Sequence, residues 1–155
     1  MGKSVSNSGQ ELVSAGGIVY RQKSGNVQVV VCGREDPQSF NLPKGTPNKG
    51  ETIDQTALRE VQEETGLEVV LEDYVGSIRY EFLPYNNGHT VTKTVFYYLM
   101  DAVGGDFSLH DSEFDTVRWV GGEEIPSILS FGNEVEIVQK GISMGKKRPE
   151  GTSPS

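Results

Sequence analysis

The stretch REVQEETG, residues 59–66, carries the most information about fold and function in this chain. Its glutamates Glu60, Glu63 and Glu64 follow the spacing i, i+3 and i+4, which places them side by side on an α-helix. Like charges at these spacings destabilise a helix by roughly a few tenths of a kcal/mol per pair. A divalent cation bound among them would remove the repulsion, since Mg²⁺ prefers carboxylate oxygens. The five residues EVQEE alone favour the simpler interpretation, a solvated acidic face.

The residues around this stretch predict a helix over 52–65. Thr52 is a suitable N-cap, and Gly66 is suited to end the helix in the left-handed conformation. The apolar residues recur every four positions and predict the buried side of the helix. They are Ile53, Ala57 and Val61, with Leu58 beside them.

Runs of β-branched and aromatic residues predict strands elsewhere in the chain. The predicted strands cover 12–21, 27–33, 40–42, 70–82, 90–103 and 114–120, and a final helix covers 135–142. Gly16 and Gly17 interrupt the first strand, which suggests that another backbone comes close there. Asn87 and Gly88 predict the turn of a long hairpin. Strands with helices inserted between them predict an α/β fold.

Length and composition favour one domain over 11–144, with disordered polar tails at 1–10 and 145–155. The formal charge of −8 argues against non-specific binding to nucleic acids or membranes, because the protein's field repels polyanions. No stretch has the ~18 apolar residues of a membrane span, and the first residues lack the apolar core of a secretory signal. The single cysteine, Cys32, lies in an apolar run and fits a buried position in a reducing compartment. These features predict a cytoplasmic protein.

A longer pattern includes the three glutamates. Gly45 is followed by five residues, Glu51, seven residues and then REVQEETGL. This matches G-x5-E-x7-R-E-U-x-E-E-x-G-U, the Nudix box, in which U is a bulky aliphatic residue. Chance agreement at seven fixed positions is on the order of 10⁻⁹ per window at average amino-acid usage. The chain therefore resembles the Nudix hydrolases, and the resemblance extends over about 14–141.

The resemblance implies a fold, an activity and a set of site residues. The fold is an α/β/α sandwich with a mixed β-sheet, and the activity is hydrolysis of a nucleoside diphosphate linked to another moiety, with Mg²⁺ or Mn²⁺. The implied metal ligands are Glu60, Glu63, Glu64 and the Gly45 carbonyl. Arg59 and Glu51 are implied to brace the site. The general base varies within the family, and here it is either Glu60 or Glu113, which is also implied as a metal ligand.

Shorter segments are similar to diadenosine-tetraphosphate hydrolases and their MutT-related relatives. These segments are SAGGIVYR, LPKG, KTVFYYL and the glutamate before RWV. The similarity implies that Lys44 and Lys93 contact phosphates and that Tyr80, Tyr85 or Phe131 stacks on an adenine ring. Diadenosine tetraphosphate, cleaved to ATP and AMP, is the first expected substrate.

Several alternatives remain open at this point. Other expected substrates are a nucleoside triphosphate, an RNA 5′-pyrophosphate, ADP-ribose or a diphosphoinositol polyphosphate, and both a monomer and a homodimer are compatible with the sequence. A different class is a binding module on a Nudix scaffold that has lost catalysis, although such proteins usually have broken boxes. A zinc enzyme is disfavoured, because His89 and His110 lie far apart and form no zinc motif.

Overall fold

A computed structural model describes residues 10–83 and 88–146. Within these residues the strands are β1 (Gln10–Lys23), β2 (Asn26–Glu35), β3 (Gln38–Asn41), β4 (Lys44–Gly45), β5 (Leu67–Phe82), β6 (Val91–Gly105) and β7 (Thr116–Gly121). The α-helices are α1 (Ile53–Thr65), α2 (Ile125–Ile128) and α3 (Gly132–Lys146). Short 3₁₀ turns cover Phe107–Leu109 and Gly122–Glu124.

The strands form one mixed sheet in the order β3-β2-β1-β6-β5. The two strands β1 and β6 are parallel, whereas the β1–β2, β2–β3 and β5–β6 pairs are antiparallel. The two remaining strands form further antiparallel pairs, β4 with β1 and β7 with β2. The predicted α/β class with a mixed sheet is confirmed.

Helices cover both faces of the sheet, because consecutive residues of a buried strand point to opposite sides. On β2, Val30 belongs to the core cluster that contains Ala57 and Val61 of α1. Its neighbours Val29 and Val31 belong to the second cluster, beneath α2 and α3. This alternation produces the α/β/α layering and explains why the apolar run of β2 is continuous.

The ends of α1 match the predicted caps. The Thr52 hydroxyl accepts a hydrogen bond from the backbone of Gln55, whose side chain in turn accepts from the Thr52 backbone. Gly66 adopts a φ of 79°, and a Cβ there would lie 2.3 Å from the Asp106 carbonyl oxygen. The helix that carries the glutamates is therefore fixed at both ends by local sequence.

Gly16 and Gly17 do not interrupt β1, which is continuous from Gln10 to Lys23. The expected close approach of another backbone is present instead. A Cβ on Gly16 would lie 2.2 Å from the Pro43 carbonyl oxygen and 2.6 Å from the Cβ of Lys44. The missing side chain allows β4, which begins at Lys44, to lie against β1.

Replacing Gly16 by alanine is expected to lower the melting temperature by roughly 5–10 °C, because overpacking against backbone atoms typically costs about 1–3 kcal/mol. Gly132→Ala is the matched control, since a Cβ there meets no atom of the described chain within 4 Å apart from its chain neighbours and its own helix backbone. Thermal melts of the two variants beside wild type make the comparison. Equal melting temperatures for Gly16→Ala and wild type would contradict this account of the β1–β4 contact.

The boundaries of some elements differ from the prediction. The strand expected at 40–42 is β3 at Gln38–Asn41, and the helix expected at 135–142 is α3, Gly132–Lys146. The strand β1 includes residue 10 and α3 includes residues 145 and 146, three residues of the two predicted tails. The rest of the two predicted tails and Asn87 of the predicted turn lie outside the described residues. No helix among the described residues is long and apolar enough to span a membrane.

Candidate active site

A cleft of about 460 Å³ opens where β4 meets α1 and the N-terminal end of α3. Seven of the predicted site residues line it: Lys44, Gly45, Glu60, Glu64, Lys93, Glu113 and Phe131. Five further residues complete the lining: Ser14, Arg34, Asn41, Thr46 and Phe114. Residues from distant parts of the sequence therefore meet in one polar cavity.

Glu64 lies at the bottom of this cleft and is only 7% exposed. Its Oε1 accepts a hydrogen bond from the backbone N–H of Lys44 at 3.1 Å. Burial raises the pKa of Glu64 to about 8, and the nearby Glu60 charge adds to the rise. A carboxyl group that is costly to ionise in this cleft is one that a bound cation would stabilise.

The raised pKa of Glu64 predicts a pH-dependent stability. The folded protein holds the Glu64 proton up to about pH 8, whereas the unfolded chain releases it near its ordinary pKa of 4.5. The contribution of this group to stability therefore decreases as the pH rises from about 4.5 to 8. We expect a lower melting temperature in EDTA at pH 8 than at pH 5.5, and a smaller difference in Glu64→Gln. An identical pH dependence in the two proteins would contradict the assignment.

Glu60 faces Gly45 at the edge of the same cleft. A Cβ at Gly45 would lie 2.0 Å from Cδ of Glu60, so a larger residue there would displace this carboxylate. Burial raises the pKa of Glu60, and the charge of Arg59 opposes the rise. Together, Glu60, Glu64 and the Gly45 backbone provide hard oxygen atoms within one cavity.

Arg59 connects this cavity to the loop that precedes α1. Its guanidinium donates to both carboxylate oxygens of Glu51, from Nε at 2.6 Å and from Nη2 at 3.0 Å. Nη2 also donates to the Thr46 carbonyl at 2.9 Å, and Nη1 donates to Glu60 and Glu63 at 3.2 Å each. The hydrogen bond from Arg59 lowers the pKa of Glu51 to about 2. One side chain thus joins Glu51, the loop before α1 and the glutamates of the helix.

Two of the predicted metal ligands, Glu63 and Glu113, do not direct free carboxylates into the cleft. Glu63 lines a separate surface groove, and its side chain is 50% exposed. Glu113 lines the cleft, but its carboxylate forms an ion pair with Arg34. Among residues 10–83 and 88–146, no three acidic, histidine or cysteine side chains converge closely enough to hold a metal ion as they stand.

The predicted phosphate-binding residues lie close together. Both Lys44 and Lys93 line the cleft, and burial together with the Lys44 charge lowers the pKa of Lys93. Phe131 is 57% exposed at the cleft, and its carbonyl accepts hydrogen bonds at the beginning of α3. Tyr80 does not line the cleft but lies opposite Lys93 on the adjacent strand. Tyr85 lies outside the described residues.

Three charged residues near the site were not predicted. Arg34 stacks over Phe114 at 4.3 Å from the ring centre and contributes a third cation to the cleft. Asp111 raises the pKa of Glu60 and Glu64 through its charge. Glu134, on α3, is 3% exposed and lies near Lys44. Their segments carry no pattern that marks them, because their positions depend on contacts with distant parts of the chain.

The residues present fit a divalent metal ion. Burial raises the pKa of Glu64 and of the half-buried Glu60, and both carboxyl groups line the same cleft. The backbone of Gly45 is open toward them because it has no side chain. Oxygen donors of this kind suit Mg²⁺ and Mn²⁺.

Comparison with known proteins assigns the family. The family profile described as NUDIX domain matches residues 11–137. The fold agrees with this match, since the chain superimposes on the crystal structure of a C. elegans Ap4A hydrolase binary complex with a TM-score of 0.69. That comparison covers 88% of this chain and 99% of the other at 19% identity, so it concerns the fold alone. The chain belongs to the Nudix family.

Three curated relatives are similar in sequence. The candidate mutator protein MutT4 of Mycobacterium tuberculosis is 40% identical over 81% of this chain and 52% of its own length. An 8-oxo-(d)GTP phosphatase of Mycolicibacterium smegmatis is 31% identical over 90% of this chain and 42% of its own length. The asymmetrical bis(5′-nucleosyl)-tetraphosphatase of Rattus norvegicus is 34% identical over 64% of this chain and 67% of its own length. The chain thus spans about half the length of the first two relatives.

Proposed function

We propose that this protein is a Mg²⁺-dependent pyrophosphohydrolase that cleaves a phosphoanhydride bond of a nucleoside polyphosphate. The observation that carries the proposal is the composition of the cleft. Glu64 lies buried at its bottom, Glu60 lies half-buried at its edge, and the cations Arg34, Lys44 and Lys93 line it. Acidic ligands for a metal ion beside cations for phosphate oxygens suit hydrolysis of a polyphosphate.

When bound, Mg²⁺ neutralises phosphate charge and lowers the pKa of water. Glu60, Glu64 and the Gly45 carbonyl would hold it, and Glu63 and Glu113 would join by turning toward the cleft. Mn²⁺ has the same ligand preference and would substitute.

The residues of the chain perform the remaining tasks. Lys44 and Lys93 bind the nonbridging phosphate oxygens, and Phe131 offers an exposed ring on which a nucleobase can stack. Tyr80 and Tyr85 are further candidates for that contact. A carboxylate accepts the proton of the attacking water, and Glu60 and Glu113 are the candidates for this base.

Diadenosine tetraphosphate is the first substrate that we propose, with ATP and AMP as its products. Support comes from the similarity to the rat tetraphosphatase and from the two lysines placed side by side, which suit a chain of several phosphates. A second candidate is an oxidised purine nucleoside triphosphate. The similarity to MutT4 and to the 8-oxo-(d)GTP phosphatase favours it. A cytoplasmic location is also proposed, supported by the single, buried Cys32.

A substrate panel tests the proposal. Diadenosine tetraphosphate, 8-oxo-dGTP, dATP, ADP-ribose, a 5′-triphosphorylated RNA and a diphosphoinositol polyphosphate are incubated with Mg²⁺, and the products are separated by ion-exchange chromatography. The highest kcat/KM for diadenosine tetraphosphate, with release of ATP and AMP, supports it as the substrate. The highest value for 8-oxo-dGTP supports the second candidate and discards the first. Absence of any cleavage contradicts the enzyme assignment and favours a binding module.

A further inference from the structure

Lys44 contacts two buried carboxyl groups through different atoms. Its backbone N–H donates to Glu64, and its Nζ lies 3.9 Å from Oε2 of Glu134. Glu134 belongs to α3, whereas Lys44 begins β4. The same Oε2 accepts a hydrogen bond from the Tyr97 hydroxyl at 3.3 Å.

Glu134 is costly to bury. It is 3% exposed, and no well-aligned hydrogen bond reaches its Oε1 within the described part of the chain. The Asn41 amide and the Leu42 backbone lie close enough to oppose the rise in its pKa that burial causes. A buried carboxylate of this kind destabilises a protein unless a cation compensates for it. Lys44 is that cation, and a glutamine or a leucine would fill the same space without the cost.

The ammonium group of a lysine has no fixed position unless a neighbouring group binds it. The side chain is a flexible four-carbon stem with a point charge at its end, and ordering it costs rotamer entropy. The lack of a side chain on Gly16 allows the first part of Lys44 to lie against β1. Glu134 is placed to hold the other end, while 23% of the Lys44 side chain stays exposed at the cleft.

We propose that Glu134 is a positioning residue, whose carboxylate fixes the Lys44 ammonium where it binds a phosphate group of the substrate. The part of the inference that places a phosphate at Lys44 rests on the proposed function. Glu134 itself touches neither the substrate nor the reacting atoms.

The direction in which phosphate affinity changes in Glu134→Gln separates a positioning role from a simple charge effect. Glu134 is an anion near an anion-binding cleft, so its field alone weakens phosphate binding, and its removal would tighten it. A positioning role gives the opposite result, because the Lys44 ammonium then loses its fixed place and must be ordered when the phosphate binds. Weaker binding in Glu134→Gln therefore cannot arise from lost repulsion.

Calorimetric titration with inorganic bismethylene-triphosphate in Mg²⁺ is the test, because this probe contains no anhydride bond to cleave. We compare wild type, Glu134→Gln, Lys44→Met and the double variant, with Glu136→Gln as the exposed control on α3. We expect Kd to rise about tenfold in Glu134→Gln, as the rotamer entropy of one lysine allows. We expect no further rise when Glu134→Gln is added to Lys44→Met. In turnover assays, KM should rise by a similar factor while kcat changes little.

Several results would overturn the proposal. The first is probe binding in Glu134→Gln that is unchanged or tighter than in wild type. The second is a rise in Kd on adding Glu134→Gln to Lys44→Met that equals the rise in wild type. The third is unchanged probe binding in Lys44→Met itself. If Glu134→Gln does not fold, a crystal structure of wild type with the same probe takes the place of the titration as the test. Lys44 Nζ within about 4 Å of both Glu134 and a phosphonate oxygen then supports the proposal, and a Lys44 turned away from Glu134 refutes it. Wild type that binds the probe but cleaves no nucleotide contradicts the proposed function alone.

Discussion

Replacing Glu64 by glutamine is expected to lower kcat by about 10³-fold or more while the protein remains folded. A bound metal ion contributes several kcal/mol of transition-state stabilisation, and each 1.36 kcal/mol is a factor of ten in rate. Glutamine has the shape of glutamate and keeps an oxygen for the backbone N–H of Lys44, but it lacks the charge that holds a cation. The buried position of Glu64 leaves little room for water to replace that charge.

The stability of the same variant should change in the other direction. Glu64 has a pKa of about 8 in the folded protein, so its ionisation destabilises the fold when no metal is bound. In EDTA at pH 8, Glu64→Gln should melt at the wild-type temperature or above it, and added Mg²⁺ should raise its melting temperature less than that of wild type. Glu136→Gln, an exposed change on α3, should match wild type in turnover and in both melts. Near-normal turnover by Glu64→Gln would remove Glu64 from the site.

Most of the fold was predictable because its signals are local. The caps of α1, Thr52 and Gly66, and the apolar positions Ala57 and Val61 determine a helix without reference to the rest of the chain. The continuous burial of β2 follows likewise from its β-branched residues. The two-residue strand β4 was not predicted, because it forms only where Gly16 lets another backbone approach.

The candidate site was predictable to the extent that one sequence motif contains it. The box places Glu60 and Glu64 on adjacent turns of α1, and helix geometry brings them to the same cleft. It does not determine where Glu63 points, and this carboxylate contacts Arg59 and is half exposed. Glu134 escaped prediction for a different reason. A single glutamate at the start of a helix is common, because it interacts favourably with the helix dipole. The burial of Glu134 against Lys44 depends on the packing of α3 on the sheet.

Arg59 is the second position where a single change should have a large effect. Its planar guanidinium spans Glu51, the Thr46 carbonyl and the carboxylates of Glu60 and Glu63 at the same time. Lysine keeps the charge but has one compact ammonium group, which cannot reach these partners together. We expect Arg59→Lys to lower kcat/KM by about 10²-fold, because a displacement of about 1 Å in catalytic groups has an effect of that size.

The acid stability of this variant gives an independent measurement. In wild type the folded-state pKa of Glu51 is about 2, whereas the unfolded chain titrates near 4.5. The stabilisation from this group is therefore complete above about pH 4.5 and disappears as the pH falls toward 2. Melting temperatures measured from pH 2.5 to 6 should decrease less steeply toward acid in Arg59→Lys than in wild type, from a lower value at pH 6. Arg79→Lys, an exposed change on β5, should follow the wild-type curve. If Arg59→Lys also followed the wild-type curve and kept full activity, the bidentate contact with Glu51 would have no part in holding the loop and α1 together.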